Sequence, residues 1–114
     1  MSVSNCIFCK IAAGEIPTEA VHASEDFLAF RDIVPQAPVH VVVIPRIHRD
    51  TIMDVEDPQL FAGLLAFVQE TAVKLGVDAE GFRSVINCRA NGGQTISHLH
   101  VHLLGGRFLN WPPG

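Results

Sequence analysis

The sequence predicts an α+β domain built on an antiparallel sheet of five strands, with one long and one short helix. Three observations carry this expectation. Five strand-like runs follow one another with only one helical interruption, a single long amphipathic helix provides that interruption, and a short helical segment precedes the first strand. The 114 residues are 48% hydrophobic and 18% charged, which fits one compact core, and nothing in the chain reads as a linker or repeat. Residues 1–114 are therefore expected to form a single domain.

Residues 6–13, CIFCKIAA, suit a short helix stopped by Gly14 and Pro17. The runs EAVHA (19–23) and FLAFRD (27–32), split by the turn-forming Ser24-Glu25-Asp26, predict a hairpin. Pro35 to Pro38 breaks the chain. His40 to Ile44, HVVVI, is β-branched and flanked by prolines, so it reads as a strand buried on both faces whose pairing ends at Pro45. Asp57-Pro58 is a capped helix start and Gly76 a helix stop. Between them Leu60, Phe61, Leu64, Leu65, Phe67, Val68, Ala72 and Leu75 form an apolar stripe. Phe82 to Cys88 is the fourth strand, residues 90–94 a glycine-containing loop, and residues 98–104 the fifth strand. Residues 110–114, NWPPG, cannot form regular structure.

Composition excludes several classes of function. A net charge of −4 without any Lys/Arg cluster argues against a nucleic-acid polymer as partner. No apolar run approaches the ~18 residues of a membrane span, and the N-terminus does not look like a signal peptide. A cytoplasmic protein with no membrane partner is expected. Its three cysteines make a poor disulfide framework in that setting, so metal, redox chemistry or burial must account for them.

The chemistry concentrates in His98-Leu99-His100-Val101-His102. In a strand these histidines share one face and leave Leu99, Val101 and Leu103 for the core. Successive histidines then stand ~6.6 Å apart and the outer pair ~13 Å apart, so three converging on one ion would strain a straight strand. Cys6-x-x-Cys9 alone fits a redox pair, free thiols or half of a tetrahedral zinc site; His48 and one end of the row could complete the last. A histidine left unligated is a nucleophile or proton carrier near neutral pH. Gly92-Gly93 permits either an ordinary turn or the close approach of a phosphate.

The run His98-Leu99-His100-Val101-His102-Leu103-Leu104 resembles the His-x-His-x-His-hydrophobic-hydrophobic signature of the histidine triad (HIT) superfamily. Gly105-Gly106-Arg107 after it resembles the histidine-triad nucleotide-binding (Hint) branch. The likeness runs from CIFCKI through LAFRDIVPQAPVHVVVIPRIH to VINCRANGGQTISHLHVHLLGGR and the terminal WPPG. It implies a HIT fold pairing into a homodimer with a continuous ten-stranded sheet, the C-terminal segment with Trp111 reaching towards the partner's site.

The resemblance further implies hydrolysis of purine nucleoside phosphoramidates through a nucleotidyl-histidine intermediate, releasing a nucleoside monophosphate. His100 matches the nucleophile, His102 and His40 the histidines around the phosphate, and Gly93 and Thr95 the phosphate and leaving-group contacts. Hint relatives often carry serine at the Thr95 position, so the extra methyl bears on leaving-group preference. Asp32 matches the ribose carboxylate; Phe8, Ile11, Phe30 and Ile33 match the walls around the base, with Asn87 contributing alongside. Cys6, Cys9, His48 and His98 match the ligands of a structural zinc, and no organic cofactor is implied. Two other functions fit the same residues: a dinucleoside polyphosphate hydrolase or nucleotidyl transferase of another HIT branch, and a zinc-stabilised nucleotide-binding scaffold without catalysis. Cys88 is expected to be a buried thiol and His22 a strand-surface histidine.

Overall fold

The structure, a computed structural model, describes residues 3–114. The chain runs α1 (Ile7–Ala12), β1 (Ala20–Ala23), β2 (Phe27–Arg31), β3 (Val39–Pro45), a 3-10 turn (Ile52–Asp54), α2 (Pro58–Leu75), β4 (Phe82–Val85) and β5 (Val101–Gly105). The five strands form one sheet in the order β1-β2-β3-β5-β4, every neighbouring pair antiparallel. The chain order alone would place β4 beside β3. Instead β5 inserts between them, which sets the histidine-bearing strand beside β3.

Both faces of the sheet are covered. Phe27 and Ala29 of β2, Val41 and Val43 of β3, and Val101 and Leu103 of β5 meet Leu64, Phe67, Val68 and Ala72 of α2. The alternate residues Leu28, Phe30, Val42 and Ile44 join Phe8, Cys9 and Ile11 on the α1 side. Period-two alternation thus gives β3 two apolar faces, and all its residues but Val39 are buried.

Helix α2 follows its terminal signals. Asp57 accepts from the Gln59 amide, Pro58 occupies the first turn, and Gly76 closes the helix in the left-handed region at φ 72°. Its stripe is narrower than expected: Leu65 is 55% exposed, and Thr71 takes a buried place by donating to the Phe67 carbonyl at 2.7 Å. His22 stacks on Phe67 with ring centroids 4.5 Å apart, joining β1 to α2.

Two strands are shorter than the sequence predicts. β5 begins at Val101, so His98 and His100 lie in the segment that leads into it. The β3–β5 ladder ends at the Val43–Val101 pair, and Pro45, two residues further, has no amide to continue it. The Leu99 amide turns instead to the Arg49 carbonyl at 2.7 Å. β4 then stops at Val85, opposite His102, because residues 86–88 have no ladder partner beyond that point. Cys88, in this unpaired segment, is half-buried and not enclosed.

Candidate active site and metal centre

All three row histidines fall on the α1 side of the sheet. His102 is the cross-strand partner of Val42, and Phe8 of α1 sets its ring edge-on to His98 and His100 at centroid distances of 5.8 and 5.1 Å. Leu99, Val101 and Leu103 enter the opposite core, as alternation requires. The shortened strand therefore does not disturb the division of faces.

Cys6, Cys9, His48 and His98 converge, with their ligand atoms all within 4.8 Å of one another. Sγ of Cys6 lies 3.4 Å from Nδ1 of His98, Sγ of Cys9 lies 3.3 Å from Nδ1 of His48 and 3.6 Å from Nδ1 of His98, and the two Nδ1 atoms are 3.2 Å apart. Tetrahedral zinc with Zn–S of about 2.3 Å and Zn–N of about 2.0–2.1 Å requires S···N near ~3.5 Å and N···N near ~3.3 Å. The donor set fits. Local folding explains it: Cys6 is the N-cap of α1, its sulfur accepting from the Cys9 amide, which turns both sulfurs to one side.

The outward nitrogens are also fixed. Nε2 of His98 donates to the Pro45 carbonyl at 2.8 Å, and Nε2 of His48 donates to Oδ1 of Asp50 at 2.6 Å. Those acceptors place the protons on Nε2 and leave both Nδ1 lone pairs for a cation. Burial drops the His98 pKa to about 4, so the ring is neutral at pH 7. Burial pushes the Cys9 thiol up, against the lowering effect of the Val3 amide; a cation would supply the positive charge that favours thiolate.

The other two row histidines occupy a second cluster. Nδ1 of His100 donates to the His98 carbonyl at 2.7 Å, which leaves the Nε2 lone pair of His100 free. The Gln36 amide donates to Nδ1 of His40 at 3.0 Å, so the proton of neutral His40 sits on Nε2. That nitrogen faces Nδ1 of His102 at 2.9 Å and Oδ2 of Asp32 at 3.5 Å. His102, accepting at Nδ1, carries its own proton on Nε2. A bare imidazole nitrogen and an N–H donor thus stand on adjacent rings, whose centroids are 5.0 Å apart. Burial lowers the pKa of both His100 and His102, which keeps this neutral arrangement at pH 7.

The remaining predicted residues differ in burial and setting. Phe8, Ile11 and Phe30 are buried together, Phe8 meeting Phe30 edge-on at 5.6 Å. Ile33 instead stands 93% exposed beside Asp32, whose Oδ1 accepts from the Val34 amide at 2.9 Å. Asn87 is half-buried beyond the end of β4, and Thr95 is exposed. Gly92 and Gly93 lie in the turn before the row. A Cβ on Gly92 would fall 2.5 Å from the Cys88 carbonyl oxygen, and Gly93 has φ +72°, so both positions need glycine. Thr95 lines, with Asn5, His48, Asp50 and Ser97, a hollow of about 350 Å³ on the metal side.

Sequence reasoning missed Gln36, Pro45, Asp50 and Gln94, and it missed the part played by the carbonyl of His98. Gln36, Pro45 and His98 act through backbone groups, which side-chain identity does not announce. Asp50 could have been found two residues after His48. Gln94 also escaped notice: its amide bonds the Asp50 and Ile96 carbonyls at 2.7 and 3.0 Å and ties the glycine loop to the metal side.

An α+β domain with an antiparallel sheet and a histidine row split between a sulfur–nitrogen cluster and a second imidazole cluster defines a narrow class of protein. The chain belongs to the HIT domain family, whose model matches residues 13–109. Within it the relatives support the Hint-like branch. The adenylylsulfatase HINT1 of Arabidopsis thaliana is 44% identical over 117 residues, spanning 99% of this chain and 79% of the relative. A 14 kDa zinc-binding protein of Brassica juncea is also 44% identical, over 95% of this chain and 98% of its own. The crystal structure of a HIT family hydrolase from Legionella pneumophila superposes with a TM-score of 0.93 at 49% identity, covering 96% of this chain and 100% of that one. The five-stranded antiparallel sheet and two helices are thus those of the HIT fold.

Proposed function

We propose that the protein hydrolyses purine nucleoside phosphoramidates through a covalent nucleotidyl intermediate on His100. The observation that carries this reading is the 2.7 Å bond from Nδ1 of His100 to the His98 carbonyl, which leaves Nε2 unprotonated on a ring beside that of His102. In the first step the Nε2 lone pair forms a bond to the α-phosphorus. The P–N bond breaks with its electron pair leaving on the amine, which takes up one proton. In the second step water attacks phosphorus, the electron pair returns to Nε2 of His100, and one proton is released. Uptake and release balance, and the net change is hydrolysis to the monophosphate and the amine.

The Nε2–H of His102 donates to a phosphate oxygen, with the backbone at Gly93 and the Thr95 hydroxyl as further contacts. His40 holds His102 in the required tautomer. Asp32 receives the ribose hydroxyls, and Phe8, Ile11, Phe30 and the exposed Ile33 bound a site for a flat purine, with Asn87 beside it. Zinc held by Cys6, Cys9, His48 and His98 is structural: four protein ligands leave no position for substrate, and one bound ion fixes α1 and the row together. The chain works as a cytoplasmic homodimer with a continuous ten-stranded sheet, and Trp111, 78% exposed, is available to the partner's site.

A second substrate class is favoured by the relative named an adenylylsulfatase, since adenylyl sulfate presents the same α-phosphorus with a sulfate leaving group. Rates on adenosine 5'-phosphoramidate, adenylyl sulfate and a diadenosine polyphosphate rank the readings. Rapid quench and mass spectrometry are expected to trap a nucleotidyl adduct on His100, and His100→Ala to abolish turnover with one zinc retained per chain. Normal turnover in folded His100→Ala rejects the mechanism.

A further inference from the structure

The turn after β5 touches the loop that sets the tautomer of His40. Arg107 donates through one terminal nitrogen to the Gln36 carbonyl and through the other to the Phe108 carbonyl, each at 3.0 Å. Gly106, at φ +87°, lies so close to the same loop that a Cβ would stand 2.9 Å from that of Pro38. The side chain of Gln36 bonds the Val34 carbonyl at 3.1 Å, leaving its backbone amide as the group that meets His40. Gln36, His40 and His102 line one hollow of about 200 Å³ with Val85 and Leu104. A charged donor on the Gln36 carbonyl therefore sits one peptide residue away from the hydrogen bond that orders the histidine pair.

We infer that Arg107 is a positioning residue for the His40–His102 pair: by holding the Gln36 carbonyl it keeps the Gln36 amide on Nδ1 of His40, and so decides which nitrogen of His102 bears its proton. With the amide in place, Nδ1 of His40 can only accept, so Nε2 must donate to Nδ1 of His102, and the His102 proton is left on Nε2. Without it, only Oδ2 of Asp32, 3.5 Å away, favours the proton on Nε2 of His40, so part of the population carries it on Nδ1 and accepts at Nε2; there His102 donates from Nδ1 and turns a lone pair towards the phosphate, where repulsion replaces a hydrogen bond. Arg107 touches neither phosphate nor nucleophile in this account. The catalytic consequence rests on the role proposed above for His102, whereas the tautomer itself does not.

The experiment uses the full-length zinc-loaded protein labelled with ¹⁵N. In the wild type, long-range ¹H–¹⁵N spectra are expected to show His40 and His102 each protonated on Nε2 alone, with a coupling across the hydrogen bond between the Gln36 amide nitrogen and Nδ1 of His40. In Arg107→Gln both rings become tautomer mixtures and kcat on adenosine 5'-phosphoramidate falls roughly tenfold, part of the about 10²–10⁴-fold that a positioned proton group supplies. KM stays within about twofold, and Arg107→Lys, which can still donate to the carbonyl, recovers most of the rate. No coupling in the wild type, or unmixed Nε2–H tautomers in Arg107→Gln, overturns the inference; a tautomer mixture with undiminished kcat upholds the positioning by Arg107 and rejects the role given to the Nε2–H of His102. A wild type inactive on every nucleotide conjugate would sink the proposed function, while the ring spectra would still decide the role of Arg107 in holding the tautomer.

Discussion

Nδ1 of His48 and Nδ1 of His98 lie 3.2 Å apart, while each Nε2 is engaged by an oxygen acceptor. Two imidazoles so close, with lone pairs converging and protons turned outward, form a site whose preferred occupant is a cation. Chelation is expected to lower the melting temperature by on the order of 10 °C, because a closed zinc site couples binding to folding and each kcal/mol moves a domain of this size by about 4 °C. Calorimetry before and after exhaustive chelation checks it. An unchanged melting temperature at zero metal content means that the tetrad does not hold the fold together.

Asp50 accepts from Nε2 of His48 at 2.6 Å, yet its side chain is 64% exposed, so it contributes little packing. Asp50→Ala should therefore weaken metal binding, by about 10–100-fold, while leaving the metal-loaded fold intact. Asp50→Asn keeps an oxygen acceptor for the ring and should lose less. Competition with a chromophoric chelator measures both, and equal affinity in Asp50→Ala and the wild type removes Asp50 from the support of the site.

The fold was most legible where the signal is local. Asp57, Pro58 and Gly76 bound α2 through their own backbone chemistry, and Cys6, Cys9, His48 and His98 do come together. Lengths of β4 and β5 were not legible, because they depend on where a partner strand ceases to offer hydrogen bonds, and that is set by Pro45 on β3. Leu65 was misplaced because helical spacing gives a stripe without saying how wide its sheet contact is. Ordering of the free histidines was hidden for another reason: it is carried by the Gln36 amide and the His98 carbonyl, groups that every residue of their kind possesses. That the row is divided between two clusters was legible from spacing, whereas the resemblance to the HIT superfamily supplied which end joins the cysteines and that His40 stands with His102.

The two glycines before the row differ in the reason each is needed, which predicts an order of effects. Gly92→Ala drives a Cβ to 2.5 Å from the Cys88 oxygen and 2.7 Å from its nitrogen, backbone atoms that cannot turn aside. About 1–3 kcal/mol of stability should be lost, as for other overpacked sites. Gly93 has open space around it and only its φ of +72° to protect, so Gly93→Asn, a residue that tolerates the left-handed region, should cost less. Denaturant unfolding of both variants tests this, and a larger loss in Gly93→Asn reverses the argument.

Burial lowers the folded-state pKa of His98 to about 4, and lowers those of His100 and His102 in the same direction. In the unfolded chain each imidazole titrates near ~6.5, so below that pH the unfolded state binds protons that the folded state refuses. Their contribution to stability is thus complete above about pH 6.5 and is lost as the pH falls from there towards about 4, where His98 itself protonates in the fold. For His98 alone the full shift corresponds to on the order of 3 kcal/mol. Protons would also displace a zinc held by the two cysteines and two histidines, in the same direction, so the melting temperature should fall steadily from pH 7 to pH 4.5. Scans on chelated protein separate the two: a slope that persists without metal belongs to the buried histidines, and a flat chelated profile between pH 6.5 and 4.5 would show that they are not held neutral by the fold.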